Sequence, residues 1–214
     1  VVYSAPNYLL NKNIYNFAFD HDSSGNPLRL GDIIRLAKNN SGGGINKRNF
    51  SLLGDPSLEL AYPWHGQVIT DSINKVSVAD DIDSLKALSL ITVTGHIGDR
   101  TGKLINDFNG TVSPIVFDKE SNIKTLANDG GKTMEFKLRS NILFSGKTLA
   151  KNGNFRFTFI VPRDIDYSFG KGKISYYANN DKEDMNGSFS DIVVGGFSGI
   201  AFSDTTGPDI KLYM

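Results

Sequence analysis

Asn154-Phe155-Arg156-Phe157-Thr158-Phe159 places three phenylalanines at alternate positions, with Arg156 and Thr158 between them. Side chains on a strand repeat every two residues, so this spacing sets three rings on one face and polar groups on the other. A sheet with one buried face requires that alternation. The stripe could be a ligand platform, but the polar intervening positions favour the core of a sandwich. The same period recurs on both sides of it. It predicts strands over Val68–Val76, Ser89–His96, Gly110–Phe117, Thr133–Leu138, Phe155–Val161, Lys173–Ala178 and Ser188–Val194. Turn formers separate them at Gly98-Asp99-Arg100-Thr101-Gly102, Asn128-Asp129-Gly130-Gly131 and Lys151-Asn152-Gly153. About seven short strands at this spacing predict an immunoglobulin-like β-sandwich, without the cysteine and tryptophan hallmarks of antibody domains.

Before Pro63 the period is different. Leu10, Ile14, Phe17 and Ala18 share a helical face, and Leu30, Ile33, Ile34 and Ala37 share another. Ser23-Ser24-Gly25-Asn26-Pro27 breaks the chain between them, and Gly42-Gly43-Gly44 ends the second. Asp32 near the start of the second helix, with Arg35 and Lys38 toward its end, suits the helix dipole. Phe50-Ser51-Leu52-Leu53, closed by Gly54-Asp55-Pro56, predicts a short buried strand. Helices followed by a buried strand form an α/β pattern, but some sixty residues are too few for a doubly wound domain. The expected class is therefore mainly β: a sandwich preceded by a partial α/β segment. The sequence opens Val1-Val2-Tyr3-Ser4, with neither an initiator methionine nor a signal peptide, and reads as a piece of a longer chain. Ile210, Leu212 and Met214 alternate after the turn Thr206-Gly207-Pro208-Asp209, as the first strand of a further β-domain would.

Composition narrows the chemistry. Lysine plus arginine and aspartate plus glutamate each number 23, so no net field draws this surface to nucleic acid or anionic lipid. No apolar run approaches the roughly 20 residues of a membrane span. There is no cysteine, hence no thiolate nucleophile, no thiolate metal site and no disulfide. The histidines, His21, His65 and His96, are too scattered for a zinc pair and have no thiol to activate. Asp80, Asp81 and Asp83 form the densest acidic cluster, but they lack the glycine and the bidentate glutamate of an EF-hand loop. Asp181, Glu183 and Asp184 read as a polar hairpin. Gly131-Lys132-Thr133 and Gly146-Lys147-Thr148 echo the end of a phosphate loop, yet the required upstream glycine is Leu126 in one case and Asn141 in the other. Gly196-Phe197-Ser198-Gly199 lacks the spacing of a nucleophile elbow. No catalytic, cofactor-binding or metal-ligating residue is expected, and no cofactor.

Several stretches resemble a known family. Val2-Tyr3-Ser4, Asn7-Tyr8-Leu9-Leu10-Asn11, Leu30-Gly31-Asp32-Ile33-Ile34 and above all Phe50-Ser51-Leu52-Leu53-Gly54-Asp55-Pro56-Ser57-Leu58 are similar to the end of the gingipain-type (C25) cysteine-peptidase domain. Downstream, Val93-Thr94-Gly95, Asp107-Phe108-Asn109-Gly110, Pro114-Ile115-Val116-Phe117-Asp118, Asn152-Gly153-Asn154-Phe155, Lys173-Ile174-Ser175-Tyr176-Tyr177-Ala178 and the final Thr206 to Met214 resemble the β-domain of the family's type IX secretion sortases. The resemblance implies a parent at the outer-membrane surface that cleaves C-terminal signals from secreted cargo and transfers the cargo to a lipopolysaccharide. Its catalytic His and Cys would lie outside this chain. The implied division is 1–63 as the peptidase remnant, 64–196 as the sandwich, and 197–214 as a linker and first strand. Partners would be the parent's other domains, secreted cargo and secretion components, with a homodimer covering the truncated α/β face. A non-enzymatic surface adhesion or interaction module is the alternative.

Overall fold

The computed structural model describes residues 4–63, 65–128 and 130–199. Trp64, the Thr206 turn and the strand expected from Ile210 to Met214 lie outside the described residues. The chain divides into two compact units, the first ending at Tyr62 and the second starting at Pro63.

The first unit holds two helices, α1 (Ser4–Ala18) and α2 (Leu30–Asn40). Helix α1 buries Leu10, Asn13 and Ala18, and α2 buries Ile33 and Ala37, each along one stripe. A polar clasp ties the pair together. Asn13 Nδ2 donates to Ser41 Oγ at 3.1 Å, and Ser41 Oγ donates to the Ala37 carbonyl at 2.6 Å. Asp32 and Arg35 pair at 2.9 Å on the exposed side of α2. The strand expected at Phe50–Leu53 does not form: the segment is unpaired, and Leu53 is 97% exposed. An extended segment becomes a strand only beside a partner, and the pairing near this stretch is a single bridge between Arg29 and Glu59.

The second unit is mainly β. Its strands are β1 (Gly66–Ile73), β2 (Val76–Ser77), β3 (Leu85–Ala87), β4 (Leu90–Asp99), β5 (Gly110–Phe117), β6 (Ser121–Lys124) and β7 (Glu135–Leu138). They continue with β8 (Ile142–Ser145), β9 (Thr148–Lys151), β10 (Asn154–Ile160), β11 (Gly170–Lys171), β12 (Lys173–Asn179), β13 (Asp184–Phe189) and β14 (Val193–Phe197). Two expected strands are broken. Val68–Val76 turns back at Asn74 and Lys75, whose φ of 51° and 71° match a tight hairpin turn. Ser188–Val194 divides between β13 and β14, which lie in different sheets.

The main ladder runs β12-β13-β1-β4-β10-β9-β5-β8, and β12 also pairs with β5, so the pairings link two layers at both edges. At one edge β9 turns into β10, where Phe155 pairs with Ala150. At the other, β1 meets β13 in parallel, with Gln67 opposite Asn186. Between the layers sits the core, which includes Val93, Val112, Val116, Phe155, Phe157, Phe159, Ile174 and Met185. A shorter sheet, β11-β14-β3, and a separate ribbon, β6-β7, complete the described strands.

One polar contact crosses the core. Tyr176 Oη and Thr70 Oγ1 lie 2.7 Å apart, and both residues are buried. Burial pushes the Tyr176 hydroxyl well above its ordinary pKa, so it stays neutral. Tyr176→Phe is expected to cost about 1–2 kcal/mol, because it strands a buried hydroxyl. Adding Thr70→Val should recover most of the loss. Equilibrium unfolding of the single and double variants checks both.

Candidate functional site

The stretch with the strongest family signature builds a joint around the start of α2. The Leu30 N–H donates to the Leu58 carbonyl at 2.8 Å, and the Gly31 N–H to the Pro56 carbonyl at 2.9 Å. Asp55 fixes the turn that delivers those carbonyls, its Oδ1 accepting from the Ser57 N–H at 2.8 Å and the Ser57 hydroxyl at 2.7 Å. Gly31 is demanded by closeness: a Cβ there would stand 2.8 Å from Pro56 Cβ and 3.0 Å from the Pro56 carbonyl oxygen. The first N–H groups of a helix are a natural anion site. Here two of them are taken by backbone carbonyls, so the arrangement locks the chain and is not built to hold an oxyanion.

The Asp55 carboxyl is held below the ordinary carboxylate range by the Ser57 N–H and then the Ser57 hydroxyl, against a smaller opposing effect of desolvation. A group with a depressed folded pKa stabilises above its unfolded value, about 3.9, and loses that contribution as pH falls through the folded value. Amide exchange at Leu30 and Gly31 should therefore accelerate as pH drops below about 3.9, after correction for intrinsic rates. Asp55→Ala should show the faster exchange already at pH 6. Equal protection in both proteins at pH 6 would contradict the account.

The histidines are not assembled into a site. His21 is exposed beside an Asp22 turn, in which Asp22 Oδ1 accepts the Ser24 and Asn26 N–H groups. His65 is exposed at the start of the second unit. His96, on β4, bridges Asp71 Oδ1 at 2.7 Å and the Gly102 carbonyl at 3.1 Å. The two contacts hold the imidazole ring from both of its nitrogens. The His96–Asp71 pair stitches β1 to β4.

Asp80, Asp81 and Asp83 are exposed, and Asp83 is engaged by Lys86 at 3.0 Å and by the Ser84 N–H at 2.8 Å. Asp181, Glu183 and Asp184 sit at the β12–β13 hairpin, where Asn180 Oδ1 accepts from the Lys182 and Glu183 N–H groups. Gly131-Lys132-Thr133 lies between β6 and β7, and Gly146-Lys147 joins β8 to β9; neither precedes a helix. Gly196 and Phe197 close β14. Phe155, Phe157 and Phe159 are 4–6% exposed, inside the core.

One feature escaped the pattern reading. Asp118 is 2% exposed, immediately after β5, and its Oδ1 lies 3.1 Å from Lys119 Nζ. It opens onto a hollow of roughly 380 Å³, lined in part by Ser140, Asn141, Asp164 and Ile165. Nothing in the local alternation marks that carboxylate as buried, because the loops that enclose it come from distant positions. Among the described residues, no three His, Cys, Asp or Glu converge as a metal site.

The sequence pattern of peptidase family C25 matches residues 1–61. Among solved structures, dimeric latent PorU from Porphyromonas gingivalis matches over 88% of this chain at 29% identity, with a TM-score of 0.59. This chain spans 18% of that protein's length. Spo0M, a sporulation control protein from Bacillus subtilis, aligns over 62% of this chain and 50% of its own at 15% identity, with a TM-score of 0.34. The search of curated proteins returned no match. The chain is accordingly related to the gingipain-like C25 peptidase PorU: residues 1–61 carry the family pattern, and the structural similarity covers most of the chain.

Proposed function

We propose that this chain is a non-catalytic portion of a cell-surface gingipain-like cysteine peptidase or sortase, one that processes the C-terminal signals of type IX secreted proteins. In this reading the first unit completes a peptidase domain, and the second is an immunoglobulin-like supporting module at the outer-membrane surface. The carrying observation is the match to PorU across 88% of the chain, together with the C25 pattern in the first unit.

Physical chemistry supports the reading of the first unit as incomplete. Its buried apolar side chains are few: Leu10, Ala18, Ile33 and Ala37. Meanwhile Tyr8, Tyr15, Phe19, Ile45, Leu53 and Leu58 are each more than half exposed. A unit with so small a core and so much bare apolar surface needs a cover. The rest of the peptidase domain supplies one cover, and a second copy of the chain supplies another; the related PorU structure is described as a dimer.

The test is a longer natural chain that contains the residues preceding Val1. We expect a His and Cys pair there at family spacing, and labelling of that Cys by an iodoacetamide probe accompanied by peptidase activity. A longer chain without such a pair would leave the fold intact and replace the enzyme with a surface interaction module.

A further inference from the structure

Strands β6 and β7 form a ribbon that pairs with no other described strand. Ser121 lies opposite Leu138, Asn122 opposite Lys137, Ile123 opposite Phe136 and Lys124 opposite Glu135. Alternation then sorts the ribbon into two faces. Ile123, Phe136 and Leu138 fall on one, joined by Met134, whose carbonyl accepts from the Thr125 N–H. Asn122, Lys124, Glu135 and Lys137 fall on the other, where Lys124 and Glu135 come within 3.8 Å. Ile123 is half-buried, but the β7 side of the apolar face is bare. Met134 is 64% exposed, Phe136 42% and Leu138 45%, and every residue of β7 is exposed.

The outer edge of β7 is also open. The Thr125 N–H bonds inward to Met134, so in an antiparallel pair Phe136 and Leu138 also direct their backbone groups inward. Glu135 and Lys137 therefore turn their N–H and C=O groups outward, away from β6. An isolated two-stranded ribbon is marginal in water, and an added strand stabilises it. A single extended segment on this edge would satisfy those backbone groups and cover the apolar face at once.

Area and charge select the occupant. The bare part of the face is three side chains, Met134, Phe136 and Leu138, too few for two copies packed face to face to reach the roughly 1,200 Å² of a stable interface. An added strand gains main-chain hydrogen bonds as well. Among the described residues Lys137 makes no ion pair, which favours a carboxylate opposite it. We propose that the β7 edge binds an extended peptide with apolar side chains at alternate positions and an acidic residue between them. The assignment stands on the ribbon alone and does not depend on the peptidase reading.

The ribbon contributes nothing to the main core, so its variants should keep the unfolding transition of the second unit. The probe is a fluorescein-labelled heptapeptide of alternating valine and threonine with one central glutamate, titrated with the 214-residue chain. We expect saturable anisotropy, with Kd raised at least about tenfold by Phe136→Ser, which spoils the face, and by Lys137→Pro, which removes the outward N–H. Lys137→Glu should lose the acidic peptide and bind its lysine-centred counterpart. No saturable binding, or binding unchanged in all three variants, overturns the proposal. So does sedimentation showing a wild-type dimer that Phe136→Ser makes monomeric with peptide affinity unaltered, since the face would then belong to a second copy.

Discussion

Phe157→Ala is expected to destabilise the second unit by about 3–5 kcal/mol, a large share of a domain's stability. The ring is 6% exposed and sits inside a stack. Its centroid lies 5.6 Å from Phe144 at an interplanar angle of 8°, 6.1 Å from Phe159, and 6.4 Å edge-on from Tyr176. Phe144 comes from β8 and Tyr176 from β12, so truncation opens a cavity where three strands meet. Phe157→Leu should cost clearly less, because it keeps most of the buried volume. Denaturant unfolding followed by tyrosine and tryptophan fluorescence measures both. A loss under 1 kcal/mol in the alanine variant would mean that the stack collapses freely, contrary to the close-packed core described above.

Gly187→Val is expected to be comparably damaging, at about 3 kcal/mol or more. Gly187 lies on β13, where the second layer meets β1. A Cβ built on it would collide with the Val68 carbonyl oxygen and stand 2.9 Å and 3.0 Å from the Val68 carbonyl carbon and amide nitrogen. These are backbone atoms, so no rotamer change relieves the clash. Strand β13 would have to leave β1 and open one edge of the molecule. Gly43→Ala is a control, because nothing lies within 4 Å of a Cβ at that position. A Gly187→Val protein melting within a few degrees of the parent would show that the parallel β1–β13 contact does not hold this edge closed.

The β character was legible because its signal is local. Alternating phenylalanines in β10 and clear turns around it need no knowledge of neighbours, and the observed strand covers Asn154–Ile160. The helices were legible for the same reason, with Leu10, Ile33 and Ala37 buried on the predicted faces. Phe50–Leu53 shows the converse. Its apolar run describes a strand, but strand formation depends on a neighbouring chain that this segment lacks. The two-residue elements β2 and β11 carry too little sequence to show any period. The His96–Asp71 pair and the buried Asp118 arise from register and loop closure, which no spacing along the chain encodes. What Gly54-Asp55-Pro56 does was likewise hidden. Turn chemistry was visible, but its grip on the α2 amides appears only when helix and loop meet in space.

The central claim is that the two units differ in what they bury: the second carries an extensive apolar core, and the first encloses few apolar side chains of its own. Hydrogen exchange of the chain, resolved by segment, tests it most directly. The account predicts the slowest exchange in β4, β5, β10 and β12, and exchange orders of magnitude faster in α1 and α2, as expected of locally opening segments. In a longer chain carrying the remaining peptidase domain, α1 and α2 should gain protection while the sandwich strands stay unchanged. Helices α1 and α2 as protected as β4 in the 214-residue chain alone would contradict it.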